Sequence, residues 1–133
     1  MIRTLAILSA SALVLAACVS NEPRYSSSGS QDAKVAGTDY HATSIIPCAI
    51  GVGAPTGSCN AGVKREGNGS GMVTVTKPDG RTRTIFFTNG RATGYDQSQA
   101  DTGRFTSSKQ GDLSVVHIGN ERYQIPDAVI YGG

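Results

Sequence analysis

The chain has 133 residues and a formal net charge of +2, from 12 basic and 10 acidic side chains. This near-balance offers no clustered basic face, so nucleic acid is excluded as an expected partner. Seventeen glycines, no tryptophan and abundant Thr and Ser argue for short strands and many turns and against a helical bundle.

Residues 1–4 contain Arg3, and residues 5–17 are apolar or small and uncharged. About 13 such residues suit the central part of a signal peptide and are too few for a membrane-spanning helix of ~20. The segment closes on Leu15-Ala16-Ala17-Cys18, which resembles the lipobox of bacterial lipoproteins. The alternative is an ordinary signal peptide cut among the small residues 12–17, with Cys18 a plain thiol. The lipobox resemblance implies a diacylglyceryl thioether on Cys18, cleavage before it, and acylation of the new amine, for example by palmitate. Each buried CH₂ contributes only ~0.8 kcal/mol, so stable anchoring in a membrane takes two or more chains. Val19 rather than Asp follows Cys18. In the enterobacterial sorting scheme this implies the outer membrane, with the domain facing the periplasm.

Residues 19–37 are polar, Ser/Gly-rich and aperiodic. They bury too little apolar area to offset the entropy of ordering, and they read as a flexible tether with a mean reach of about 25 Å. The expected organisation is a signal peptide over 1–17, a tether with lipidated Cys18 over 18–37, and a β domain over 38–133. Residues 44–50 are the first apolar run, and a Gly-rich loop leads on to Ser58-Cys59-Asn60. With Cys18 lipidated, Cys48 and Cys59 are left, and outside the cytoplasm such a pair reads as a disulfide. Closing that loop contributes about 3 kcal/mol in the chain-entropy model. The spacing is not C-x-x-C, which argues against a thiol redox site or a zinc knuckle.

Gly67-Asn68-Gly69-Ser70-Gly71 reads as a mobile loop. Beyond it, residues 72–77 and 81–87 alternate around Pro78-Asp79-Gly80, which suits a type I turn with Gly in the left-handed position. Counted outward, Val75 faces Arg83, Val73 faces Ile85 and Met72 faces Phe86. Val73, Val75, Ile85 and Phe87 are the expected core face, and Thr74, Thr76, Thr82 and Thr84 the wet one. Asn89-Gly90 is a two-residue hairpin signal that returns the chain as strand 91–95. Residues 96–102 form a polar loop, 104–108 a strand, and Gln110-Gly111-Asp112 a turn. Residues 113–118 and 121–125 form a hairpin around Gly119-Asn120, a type II′ candidate. There Val116 faces Tyr123, His117 faces Arg122 and Ser114 faces Ile125. Pro126 opens one helical turn over 126–130.

Ile46-Pro47-Cys48, Cys59-Asn60-Ala61-Gly62-Val63, Pro78-Asp79-Gly80-Arg81-Thr82-Arg83 and the run from Gly119-Asn120-Glu121-Arg122-Tyr123 through Gln124-Ile125-Pro126-Asp127-Ala128-Val129-Ile130 to Gly133 carry a second resemblance. They are similar to a family of small secreted alphaproteobacterial proteins. That resemblance implies a shared fold over about residues 46–133 and assigns no activity.

Catalytic and ligand motifs are thin. His41 and His117 lack metal-ligand spacing and a neighbouring Cys, so no metal is expected. No Gly-x-Ser-x-Gly elbow surrounds Ser70, because Asn68 stands where the first Gly belongs. Gly51-Val52-Gly53-Ala54-Pro55-Thr56 half-matches a dinucleotide fingerprint, but Thr56 replaces the last Gly and Pro55 would break the helix, so no cofactor is expected. Asp96-Gln97-Ser98-Gln99-Ala100-Asp101 lacks the Gly and Glu of a calcium loop. The one charge pattern is Arg81, Arg83, Arg91 and Arg104. Arg81, Arg83 and Arg91 form a candidate cationic binding strip for lipopolysaccharide phosphates, peptidoglycan carboxylates or an acidic envelope protein. The alternative is a solvated strand end that blunts edge pairing.

The expected fold is thus all-β, an antiparallel sandwich or small open barrel of about five to seven strands. The expected role is a lipid-anchored, non-catalytic structural or binding module of the envelope. A lysozyme-inhibitor-like lipoprotein is the first rival, since such inhibitors are also small disulfide-bearing β domains. A small envelope enzyme is the second.

Overall fold

A computed structural model describes residues 33–99 and 101–132. The strands among them are β1 (Ala42–Ile50), β2 (Gly57–Gly67), β3 (Ser70–Thr76), β4 (Thr82–Thr88), β5 (Arg91–Tyr95), β6 (Phe105–Gln110), β7 (Leu113–Ile118) and β8 (Glu121–Pro126), followed by α1 (Asp127–Tyr131). They make one antiparallel sheet in the order β5-β4-β3-β2-β1-β8-β7-β6. The all-β class is as expected. The eight strands exceed the expected five to seven, and the sheet curls into a nearly closed barrel. Cys18, the signal peptide and most of the tether lie outside the described residues.

Both counted hairpins form in the expected register. Val75 pairs with Arg83, Val73 with Ile85 and Met72 with Phe86. Val116 pairs with Tyr123, His117 with Arg122 and Ser114 with Ile125. The turns have the backbone their residues favour. Gly80 is left-handed at φ 87°, and its N–H donates to the Lys77 carbonyl at 2.9 Å. Asn89 and Gly90 both have positive φ, as a type I′ turn requires, whereas at Gly119-Asn120 only Gly119 does.

Two expectations fail in the first half. Gly67-Asn68-Gly69-Ser70-Gly71 is no mobile loop: Asn68 and Gly69, at φ 55° and 72°, form a tight hairpin turn in which Gly67 pairs with Ser70. β2 was not foreseen beyond Asn60, yet it runs to Gly67 and pairs along most of its length with β1 and β3. At the other end of the chain Pro126 is extended, at φ −64° and ψ 147°, and closes β8 instead of opening the helix.

With eight strands, a barrel is just wide enough for side chains to fill. Here Ile46, Val63, Val73, Val75, Ile85, Val116, Ile118, Tyr123 and Ile125 fill it, each at most 1 % exposed. Cys48 and Cys59 form a disulfide between β1 and β2 with their Cα atoms 5.9 Å apart. It lies just below the loop 51–56 and joins the same core. α1 plugs one end with Val129 and Ile130, each contributing about 1.5–3 kcal/mol by burial. Arg65 fastens the plug: its Nε and Nη2 donate to the Val129 carbonyl at 3.2 and 3.1 Å. The Arg65 N–H donates to Nδ1 of His41 at 2.8 Å. β8 leads into α1 and lies antiparallel to β1, so β1 enters at the plugged end and points toward the other.

The barrel has one seam, between β5 and β6, where no strand ladder forms. Side chains bridge it. Ser107 Oγ donates to the Ala92 carbonyl at 2.9 Å. The Tyr95 hydroxyl donates to the Gly103 carbonyl at 2.6 Å and accepts from its N–H at 2.8 Å.

Candidate functional site

Lys77, Arg83 and Glu121 alternate in step with core residues, so the pleat turns all three inward at the end opposite α1. Arg83 is fully buried and clasps Glu121 with two parallel bonds, Nε to Oε1 and Nη2 to Oε2, both 2.9 Å. Lys77 Nζ donates to Oε2 at 3.1 Å and the Tyr123 hydroxyl to Oε1 at 2.6 Å. Burial pushes the Glu121 carboxyl up, but the bonds from Arg83, Tyr123 and Lys77 outweigh it and hold the group below 4.5. Burial, and then the adjacent carboxylate, push the Tyr123 phenol far above its ordinary range. The Arg83 guanidinium lies 5.1 Å from the centroid of the Tyr95 ring, and its Nη1 has no hydrogen-bonding partner. Asp101 ties the 96–104 loop across this cluster. Its backbone carbonyl accepts from Arg83 at 2.5 Å, and its carboxylate accepts from Lys77 at 3.4 Å and from Arg81.

The expected cationic strip is therefore not a surface feature. Arg83 belongs to the barrel interior, because a position opposite Val75 faces the core whatever its charge. Arg81 is exposed and engaged by Asp79 at 2.7 Å and by Asp101. Arg91 sits at the opposite end of the barrel, beside the Asn89-Gly90 turn. Nothing brings the three together. The Lys77–Arg83–Glu121 cluster was missed, although period-two counting from each hairpin places all three on the core face. Both Glu121 carboxylate oxygens are engaged, by four bonds from three side chains, so the carboxylate is not free to act as a base. It closes an end that lacks an apolar plug.

A groove of about 490 Å³ lies on the outside, where it crosses β1, β2 and β3 and is lined by Tyr40, Thr43, Ile45, Asn60, Thr74 and Thr76, with Gly62 on its floor. Tyr40 forms a wall because its ring lies on Gly62, where a Cβ would come within 2.5 Å of the ring carbons. Ile45 is 69 % exposed beside it. Tyr40 is the only ionisable side chain in the lining. Neighbouring hydroxyls are occupied: Thr74 bonds Thr84 at 3.0 Å, and Gln99 bonds Thr82 and Thr84 at 3.2 and 3.3 Å. Among the described residues the Asn60 amide and the Thr43 and Thr76 hydroxyls are left without such a bond.

His117 stays on the outer face opposite Arg122, as expected. Arg122 bonds the Thr56 hydroxyl in the 51–56 loop. That loop carries Val52, 85 % exposed, between Gly51 and Gly53, both with positive φ. Comparison of the chain with protein-family models, with curated proteins and with solved structures yields no match.

Proposed function

We propose that the chain is a lipid-anchored envelope module, held through Cys18 on the periplasmic side of the outer membrane, that binds a ligand without transforming it. The observation that carries this reading is the outer groove. It combines uncommitted neutral hydrogen-bonding groups on Asn60, Thr43 and Thr76 with the apolar surfaces of Ile45 and Tyr40. The filled interior supports the same reading, since it leaves the outer wall as the place for a ligand. So does the direction of β1, which enters at the α1 end and sets the far loops at the opposite one.

A photo-crosslinking residue placed at Ile45 of the anchored protein in intact cells tests the site. An adduct at that position, absent from the same substitution at Thr106 on β6, is the expected result. No adduct at either position would remove the groove as a binding surface. The anchor is tested separately: Cys18→Ser should move the protein from the membrane fraction to the periplasmic one, and a variant still extracted with membranes would refute it.

One feature favours a second reading, a lysozyme inhibitor. The 51–56 loop is stapled by the disulfide, held to the next turn by a Gly51 N–H to Asn120 carbonyl bond of 3.1 Å, and tipped by exposed Val52. A rigid loop with an apolar tip can enter a cleft with little loss of entropy. Suppression of hen lysozyme by the purified domain, abolished by Val52→Asp, would favour it over the groove.

A further inference from the structure

We infer that the ligand of the outer groove is a neutral glycan chain. The inference rests on the groove being the binding surface and goes further in naming the chemical class. Four observations select it.

First, the lining carries hydroxyls, a carboxamide and apolar surface, and no cation or carboxylate. An anionic ligand would find no charge partner there. A purely apolar one would leave the Asn60 amide and the Thr43 and Thr76 hydroxyls covered and unpaired, at about 1–3 kcal/mol for each group. A pyranose matches both halves, with hydroxyls around its edge and C–H bonds on its face. Asn60 supplies two donors and an acceptor, and each threonine hydroxyl supplies one donor and accepts as well.

Second, the aromatic wall is fixed before a ligand arrives. Tyr40 rests on Gly62, a glycine whose φ lies outside the left-handed region, so the residue is there for closeness. Its neighbouring backbone is folded into a turn, with the Val35 N–H donating to the Tyr40 carbonyl at 2.7 Å and the Thr38 hydroxyl accepting from the Tyr40 N–H at 3.2 Å. A pre-positioned ring beside Ile45 presents a firm apolar surface for the C–H face of a sugar, at low ordering cost.

Third, β-strand addition of a peptide is closed off over the floor of the groove. There β2 and β3 each have a hydrogen-bonded neighbour on both sides and offer side chains, whereas β1 pairs with β8 only over Cys48–Ile50. Fourth, the groove is open along the sheet surface and its volume of about 490 Å³ lies in the small-molecule range of roughly 300–1,000 Å³. An open groove admits the middle of a chain, where an enclosed pocket would admit only an end.

The test uses the purified domain with its disulfide intact. N-acetylglucosamine hexamer, cellohexaose and maltohexaose serve as neutral probes, and a galacturonate hexamer as the anionic one. Binding is read from backbone amide shifts and from a titration. At least one neutral hexamer should shift the Asn60, Gly62 and Thr76 amides and leave those of β6 unmoved. Asn60→Ala and Ile45→Ser should each weaken that binding about tenfold, one hydrogen bond or one apolar contact being worth ~1.4 kcal/mol. Tyr40→Ala should abolish it, and because that change also disturbs the turn, Tyr40→Phe should restore most of it. Arg91→Ala should change nothing. The inference fails if no neutral hexamer binds, if only galacturonate binds, or if binding survives both Asn60→Ala and Tyr40→Ala. Failure here together with a protein adduct at position 45 would leave the groove a binding surface and remove the glycan alone.

Discussion

Truncating Arg83 to Ala removes both bonds of the clasp and leaves Glu121 inside the barrel with Lys77 and Tyr123 alone. Losing one partner of a buried pair costs about 3–5 kcal/mol, because an uncompensated charge stays behind. Urea denaturation of Arg83→Ala should show a loss of that size, and Arg83→Met with Glu121→Leu should recover only part of it, because buried Lys77 and Tyr123 lose their carboxylate partner; a single variant within ~1 kcal/mol of wild type would contradict the clasp. The same pair sets the response to acid. Glu121 has its carboxyl below 4.5 in the folded state, so the folded chain binds fewer protons there than the unfolded one. Its contribution is complete above about 4.5 and disappears as the pH drops through the lower folded value. The melting temperature should fall as the pH is lowered below about 4.5, and Glu121→Gln should flatten that part of the profile. Arg83 was legible in position and misread in role. The Pro78-Asp79-Gly80 turn sets it opposite Val75 and in step with Ile85, on the core face. Its charge argued for water, and the argument from charge fails because the acid that neutralises it, Glu121, lies 38 residues away in sequence.

At the level of elements, hairpins were legible where a short turn separates two alternating runs, as in β3–β4 and β7–β8. There the turn fixes the register and the alternation fixes the face. β2 escaped because its residues Lys64, Arg65 and Glu66 break the alternation of apolar and polar types. Arg65 is needed there to hold α1, and its partners lie 64 residues on. The Asn68-Gly69 turn was a hairpin signal as strong as Asn89-Gly90, hidden by the surrounding glycines. Those glycines have packing reasons. A Cβ on Gly69 would strike the Tyr131 ring and come within 2.6 Å of the Gly90 nitrogen, in a residue already at φ 72°. Gly69→Ala should therefore lower stability by about 2 kcal/mol or more, through strain and collision together. Adding Tyr131→Ala should restore only the part due to the ring, leaving the strain and the approach to the Gly90 backbone, which a two-variant denaturation cycle separates. The outer groove was half legible: alternation marked Thr74 and Thr76 as outward, but Tyr40 and Asn60 reach it only through the β1–β2–β3 pairing.

On the scale of the molecule, the expected sandwich or open barrel becomes a single sheet whose order departs from chain order at one place. β1 and β8 are neighbours in the centre, and the seam falls between β5 and β6, which are consecutive in the chain. The two entrances to the fold also meet: Arg65 bonds His41 at the start of the domain and the Val129 carbonyl near its end. The β1–β8 neighbours thus join where a loop would ordinarily be, and the 96–104 loop crosses where a ladder would ordinarily be. A circular permutant follows from this. Joining residue 132 to residue 33 through a short flexible linker and opening the chain between Gln97 and Ser98, both exposed, would make sheet order and chain order the same. Such a chain should keep the native circular dichroism and the groove, and lose stability mainly through the freed Asp101 contacts. Its new ends would emerge at the rim opposite α1. A lipid placed on them would hold the barrel the other way up from the proposed anchor at Cys18, with the α1 plug facing outward and the Val52 loop toward the bilayer, so inverting the domain becomes a way to ask which of its faces binds.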